Sequence, residues 1–347
     1  MIKWLQIPIF VKIEIIIQLN FERKILLSNS YQNSLASFLT KCFAVSCPPN
    51  ELKLNLTDTI KDYKKKVNSV PFFQNTMDTA IPQTDLYELI DNHFNSPLKE
   101  GKTKKKAIII GYDGCRADAL SFINEVPNGG INYLLQTGAD AKLSYCGGVN
   151  YPDFNKQQTS TAPGWCSIIT GIWSYKIGVA GNDVKKSNDY LTNLTTLVEN
   201  GTIDSSAFYT SWDGHFETKN STYINEKQYI KDKGLNVNFV LSKNDNELTD
   251  NVLKNINSKE CSDYIFAIIE HTDHCGHESG FSTKNPKYVD AYKNCEIDGR
   301  KIIDAIEARE TYDTEDWLIL ITSDHGGFKK GHGAFTIQER MTFVIKR

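Results

Sequence analysis

Three short apolar runs constrain this chain most. Residues 107–112 (AIIIGY), 263–270 (DYIFAIIE) and 316–322 (DWLILIT) are nearly continuous, with no polar–apolar alternation. A strand with one wet face alternates; an unbroken run predicts a strand covered on both faces. Residues 206–210 form a shorter candidate of the same kind. Helical stretches separate these runs. One is expected from Arg116 to about Asn124. A longer one runs from Pro286 to about Tyr312, with Val289, Tyr292, Cys295, Ile302, Ile303 and Ile306 at helical intervals. Alternation of buried strands with helices predicts an α/β fold with a central, mostly parallel sheet and helices on both faces. Such sheets bind ligands beyond the carboxyl ends of their strands. Asp113, Asp273 and Asp324 each fall just past one of the runs. The three acids should therefore meet on one edge of the sheet.

Histidines gather in the same places. Five of the seven lie between residues 271 and 332, in His271-Thr-Asp273-His274-Cys-Gly-His277, Ser323-Asp324-His325-Gly-Gly and Gly331-His332-Gly333. Carboxylates and imidazoles at strand ends suit one or two divalent ions such as zinc. A further segment, Ser160-Thr161-Ala-Pro163-Gly164-Trp165 to Gly171, reads as a helix opening at Pro163 and closing at Gly171. Its start would leave N–H groups free to meet an anion. Thr161 would stand just before that start. A bound metal could lower the pKa of its hydroxyl and turn a poor nucleophile into a competent one. Taken singly, Asp113 would be a turn residue before Gly114, and Thr161 a helix cap. Those readings would all have to hold at once.

Bulk properties narrow the rest. With 347 residues, 40% hydrophobic and 23% charged, the chain can bury a large core. A net charge of −3 argues against a dedicated nucleic-acid binder. The apolar stretch 4–19 is interrupted by Pro8, Lys12 and Glu14, is short for a membrane span, and partly alternates like a strand. No clear signal peptide is read there, so membrane association is not supported and the compartment stays open. Eight cysteines without a CxxC pair argue against a cysteine zinc finger, and those inside the motifs read as small buried hydrophobes.

In order along the chain, Asp113-Gly-x-Arg116, Thr161-x-Pro163 with Thr170-Gly171, Asp273-x-x-Gly-His277, Ser323-Asp324-His325-Gly and Gly331-His332-Gly333 resemble the alkaline phosphatase superfamily. The resemblance is to its branch of type I phosphodiesterases and nucleotide pyrophosphatases, and it covers roughly residues 105–347. Each motif is weak alone; five in the right order are a strong signal. The resemblance implies a three-layer α/β sandwich and a hydrolase holding two divalent metal ions, zinc by preference, with manganese chemically competent. Asp113, Asp324 and His325 would hold one ion, with Thr161 as nucleophile. Asp273, His277 and His332 would hold the other. The implied reaction is hydrolysis of a small phosphate ester, most readily a diester, through a threonyl-phosphate. A phosphomonoesterase, a phosphonate hydrolase or an inactive binding protein on the same fold are the alternatives. A sulfatase or a metal-dependent phosphoglycerate mutase would carry another nucleophile. The resemblance also allows an extracytoplasmic location.

The chain departs from the branch where Gly164 replaces an asparagine commonly found there, and where Ile177-Gly178 replaces His-Gly. Gly164, Trp165 and Arg116 are the tentative substrate contacts; Arg116 would alternatively pair with a nearby carboxylate, and Trp165 would alternatively pack in the core. His271 and His274 flank the ligand positions without occupying them, and either packs beside the site or bonds its ligands. Residues 1–104 are expected as a separate region of unassigned role, ending in a solvated charged linker, Lys99–Lys106. Residues 105–347 are expected as the catalytic domain, with 183–255 as a cap or insertion over the site.

Overall fold

In a computed structural model, residues 57–147 and 157–347 are described. The apolar stretch 4–19 and two cysteines, Cys42 and Cys47, lie outside them. The strands are β1 (Ile81–Pro82), β2 (Lys104–Tyr112), β3 (Asp140–Tyr145), β4 (Ser206–Thr210), β5 (Val237–Leu241), β6 (Tyr264–Ile269), β7 (Glu315–Thr322) and β8 (Met341–Lys346). They form one sheet in the order β1-β3-β8-β7-β2-β6-β4-β5. Only β8 runs against its neighbours, pairing antiparallel with β3 and β7. The helices are α1 (Thr57–Ser69), α2 (Asp85–Asn95), α3 (Gly130–Gln136), α4 (Thr161–Thr170), α5 (Asn193–Glu199), α6 (Ile224–Lys233), α7 (Asp245–Ile256), α8 (His271–Ser279), α9 (Pro286–Glu307) and α10 (Ile337–Arg340). The stretch after Arg116 forms a 3₁₀ run, Ala117–Glu125, rather than an α-helix.

The unbroken apolar runs have the predicted cause. Successive strand side chains point to opposite faces. On β2, Ile108, Ile110 and Tyr112 enter one core with α1, α3, α7 and α9. Ala107 and Ile109 enter a second core with α2, α4 and α5. On β6, Ile265, Ala267 and Ile269 take the first core; Tyr264, Phe266 and Ile268 take the second. Three layers result, with both sheet faces dry at the centre. At roughly 25 cal/mol per Å² of apolar surface, these two cores are the main source of stability.

Three expectations on organisation need correction. The compact unit runs from Ile60 to Arg347, not from residue 105. Tyr63 and Val67 of α1 and Leu86, Ile90 and Phe94 of α2 are core residues, one helical turn apart on a single face. The lysine run is solvated only over its first part, and its end is strand rather than linker. Lys104–Lys106 open β2. Lys104 and Lys106 pair with Asp263 at 2.8 and 3.1 Å, and Lys99 and Lys105 pair with Asp316 at 2.8 and 3.3 Å. Charge density suggested solvent, and Lys99 and Lys104 do stay exposed; Lys105 and Lys106 are drawn in by the buried carboxylates of Asp316 on β7 and Asp263 just before β6. Residues 183–255 are polar because their helices have wet faces; they supply β4 and β5 to the sheet and so are part of the sandwich rather than a cap.

Register positions the site. Tyr112 pairs with Ile269 on β6, and Gly111 with Thr322 on β7. These strands are parallel neighbours and end level. The residues just beyond them, Asp113, Glu270 to Asp273, and Ser323 to His325, must therefore be adjacent.

Among the described residues, no helix is long and apolar enough to cross a membrane. Cys115, Cys146, Cys166, Cys261, Cys275 and Cys295 are free thiols, all but Cys275 buried.

Candidate metal centre and nucleophile

Asp113, Asp324 and His325 each offer a ligand atom within 4.8 Å of the others, all buried. His325 Nε2 lies 3.3 Å from Asp324 Oδ2 and 3.6 Å from Asp113 Oδ1. Beside them, His277 Nε2 is 3.4 Å from Asp273 Oδ2 and 3.0 Å from His332 Nε2. His332 Nε2 is 3.6 Å from Asp273 Oδ1. The His325 and His332 rings stack at 4.0 Å, so the two clusters form one centre. The six candidate ligands are thus brought together in one place, and His325 groups with Asp273 and His332 as well as with Asp113 and Asp324. Asp273 and His277 meet because they sit four residues apart on α8, on one face.

Backbone carbonyls orient the imidazoles. The Nδ1 atoms of His325, His332 and His277 lie 2.7, 3.0 and 3.1 Å from the carbonyls of Gly326, Thr159 and Lys330. A carbonyl only accepts, so each Nδ1 carries the hydrogen and each Nε2 turns a lone pair into the centre. Among the described residues, Asp113 Oδ1, Asp273 Oδ1 and Asp324 Oδ2 are buried with no hydrogen-bond partner. Burial raises the Asp113 and Asp324 carboxyls well above their usual range, and each is raised further by the other acids packed against it. Burial also holds His325 and His332 below the ordinary histidine range, so both stay neutral. Orphaned carboxylate oxygens facing imidazole lone pairs are costly unless something positive joins them. The donor set fits divalent ions of the zinc type.

Thr161 is 5% exposed, and its Oγ1 lies 3.4 Å from His325 Nε2. It is the first residue of α4, not the residue before it; the helix starts two positions ahead of Pro163. Proline is tolerated there because the early N–H groups of a helix have no intrahelical partner. The helix closes as expected on Gly171, at φ +70°.

The three tentative substrate contacts take other roles. The Arg116 guanidinium is buried, bonded to both oxygens of Asp118 at 2.9 Å and to the Phe281 carbonyl at 2.6 Å. Trp165 is fully buried and donates its indole N–H to Asp113 Oδ2 at 2.8 Å. The Gly164 N–H closes the first helical turn on Ser160 O at 2.8 Å, so it is not free for an anion. Gly164 is instead required by space: a Cβ there would fall 2.8 Å from Asp324 Cβ. Gly114 is required by conformation, at φ +63°, and a Cβ there would also strike Asp273.

Two residues at the centre escaped the sequence. Glu270, buried at the end of β6, groups with Asp113 and Asp273 within 4.8 Å. Its position directly after the apolar run was the available signal. Asn182, 21 residues past Thr161, accepts the Ala162 N–H on Oδ1 at 3.0 Å, which sets its amide NH₂ beside the start of α4. No local motif marks it; a loop brings it back.

A model of the type I phosphodiesterase / nucleotide pyrophosphatase family matches residues 107–329, a span holding every expected site residue except His332. Curated protein sequences gave no match. Solved structures similar to this one include the murine ectonucleotide pyrophosphatase / phosphodiesterase 5, at 16% identity and TM-score 0.45. That alignment covers 64% of this chain and 57% of the murine one. They also include the alkaline phosphatase of the Antarctic bacterium TAB5, at 13% identity and TM-score 0.45, covering 71% and 91%. A third is the phosphonate monoester hydrolase of Agrobacterium radiobacter, at 13% identity and TM-score 0.43, covering 70% and 68%.

Proposed function

Because this chain belongs to the type I phosphodiesterase / nucleotide pyrophosphatase family, we propose that it hydrolyses a small phosphate ester, most readily a diester, through a threonyl-phosphate. The observation that carries this reading is the Thr161 hydroxyl at the start of a buried helix, 3.4 Å from His325 Nε2, which itself lies 3.3 Å from Asp324 Oδ2 and 3.6 Å from Asp113 Oδ1. Asp113, Asp324 and His325 would hold one divalent ion and Asp273, His277 and His332 a second, both zinc by their mixed carboxylate and imidazole donors. Bound there, the ions supply the positive charge that favours an ionised threonine hydroxyl and offsets charge building on phosphoryl oxygens.

The chain's own groups do the rest. Thr161 Oγ forms a bond to phosphorus as the bond to the ester leaving group breaks. The Thr161 N–H and the Asn182 amide meet the phosphoryl oxygens at the helix start. The three Nδ1–carbonyl bonds hold the imidazoles in the right tautomer and orientation. Trp165 holds the Asp113 carboxylate. Water then displaces the threonine from phosphorus, restores its hydroxyl and releases the phosphate product. Preorganisation of this kind supplies the larger share of such catalysis.

The test uses zinc-loaded protein, a bis-aryl phosphodiester and an aryl phosphomonoester, with Thr161→Ala alongside. Diester turnover lost in the variant, with zinc content unchanged, is the expected result. Substantial turnover by Thr161→Ala would refute the nucleophile. Monoester preference would move the reading to a phosphatase. Silence on both esters with zinc bound would favour a binding protein on this fold.

A further inference from the structure

A charged cluster behind the ligands has no role in the reading so far. His271 is the first residue of α8, two positions ahead of Asp273 and six ahead of His277. Its Nδ1 lies 2.9 Å from Asp245 Oδ2, and its Nε2 lies 2.9 Å from Asp298 Oδ2. An ionised carboxylate only accepts, so both ring nitrogens donate. Asp245 begins α7 and uses its other oxygen for the Glu270 backbone N–H at 2.9 Å and the Ser211 hydroxyl at 3.0 Å. Asp298 lies within α9 and gives its other oxygen to Lys301 at 2.8 Å. Both carboxylates are buried. One imidazole therefore ties α7 and α9 to the turn from β6 into α8. Thr272, the next residue, donates its hydroxyl to the Asp113 carbonyl and ties the same turn to β2.

We infer that His271 is a positioning residue: a two-armed brace that fixes the start of α8 and thereby places Asp273 and His277. The inference rests on the two-ion reading and deepens it, because the brace serves one ion and not the other. Asp113 and Asp324 follow β2 and β7 directly, and their side chains are held by Trp165 and the Gly114 N–H, neither of which belongs to α8; the Thr272 bond reaches only the Asp113 backbone carbonyl. A residue that merely stabilises the fold would not distinguish the two ions.

The experiment titrates zinc into the metal-free full chain against a chromophoric chelator, for the wild type, His271→Gln and Asp298→Asn. Glutamine keeps one donor arm, and asparagine keeps an acceptor but loses the charge; the second variant guards against misfolding of the first. The expected result is one ion bound as in the wild type and one weakened roughly 10–100-fold, the usual effect of losing a group that orients a ligand. In a His332→Ala background, adding His271→Gln should weaken the remaining ion no further. Unchanged affinity for both ions, even with a lower melting temperature, would overturn the inference. Equal weakening of both ions would overturn it as well. A wild type that takes up no zinc would refute the two-ion reading itself, and the inference with it.

Discussion

Replacing Trp165 by phenylalanine removes one donor from the centre and little else. The indole N–H bonds Asp113 Oδ2 at 2.8 Å, and both residues are fully buried. Asp113 Oδ1 already lacks a partner among the described residues, so the variant leaves the whole carboxylate side chain with less support. Hydrogen bonds to charged groups contribute about 1.5–3 kcal/mol. Spent on orienting a ligand, that corresponds to roughly 10–100-fold in metal affinity. The smaller ring still packs edge-on against Phe266. The volume it vacates adds a separate stability loss, on the order of 1–2 kcal/mol. The two effects separate by assay. Melting of the metal-free protein reports the packing loss, a few degrees for a chain of this size. Zinc titration against a chelator reports the lost bond, expected to weaken the ion at Asp113, Asp324 and His325. A variant that melts earlier yet binds both ions with wild-type affinity would show that the indole only fills space, and would refute the assignment.

Three further outcomes follow. Asn182→Ala should raise KM and lower kcat for the ester with zinc content unchanged, since its amide stands beside the helix start; kinetics identical to wild type would remove it from the site. Gly164→Ala should lower both zinc affinity and melting temperature, because the added methyl meets Asp324 Cβ at 2.8 Å; wild-type values on both would mean that α4 shifts at no cost. Glu296 is fully buried, bonded to the Ile131 N–H, and raised by burial from the usual 4.5 to about 8. The folded chain therefore keeps a proton that the unfolded chain has lost between those values, and stability should fall as pH rises through that window and level off above it. Glu296→Gln should flatten that fall in urea melts taken from pH 5 to 8; an unchanged slope would show that another group causes it.

Much of the centre was legible because parallel strands end together. An unbroken apolar run declares a strand buried on both faces, and the polar residue after it declares the strand's end. Asp113, Asp273 and Asp324 could be placed on one edge by that logic alone, and the histidines came with them as near neighbours in sequence. The same local reasoning misled wherever the outcome depended on a partner far along the chain. Lys106 looks solvated until Asp263 is placed beside it. Arg116 reads equally as a substrate contact or a partner of a nearby carboxylate until Asp118 and the Phe281 carbonyl take its nitrogens. Asn182 and the His271 brace carry no motif, because a hydrogen bond across tens of residues leaves no local pattern. The sequence by itself determined the layers, the strand ends and the ligand types, since hydrophobic periodicity and side-chain chemistry are local properties. Only the tertiary structure decided which polar groups are free to meet a substrate and which are already spent on one another, since that depends on which distant segments the sheet order brings into contact.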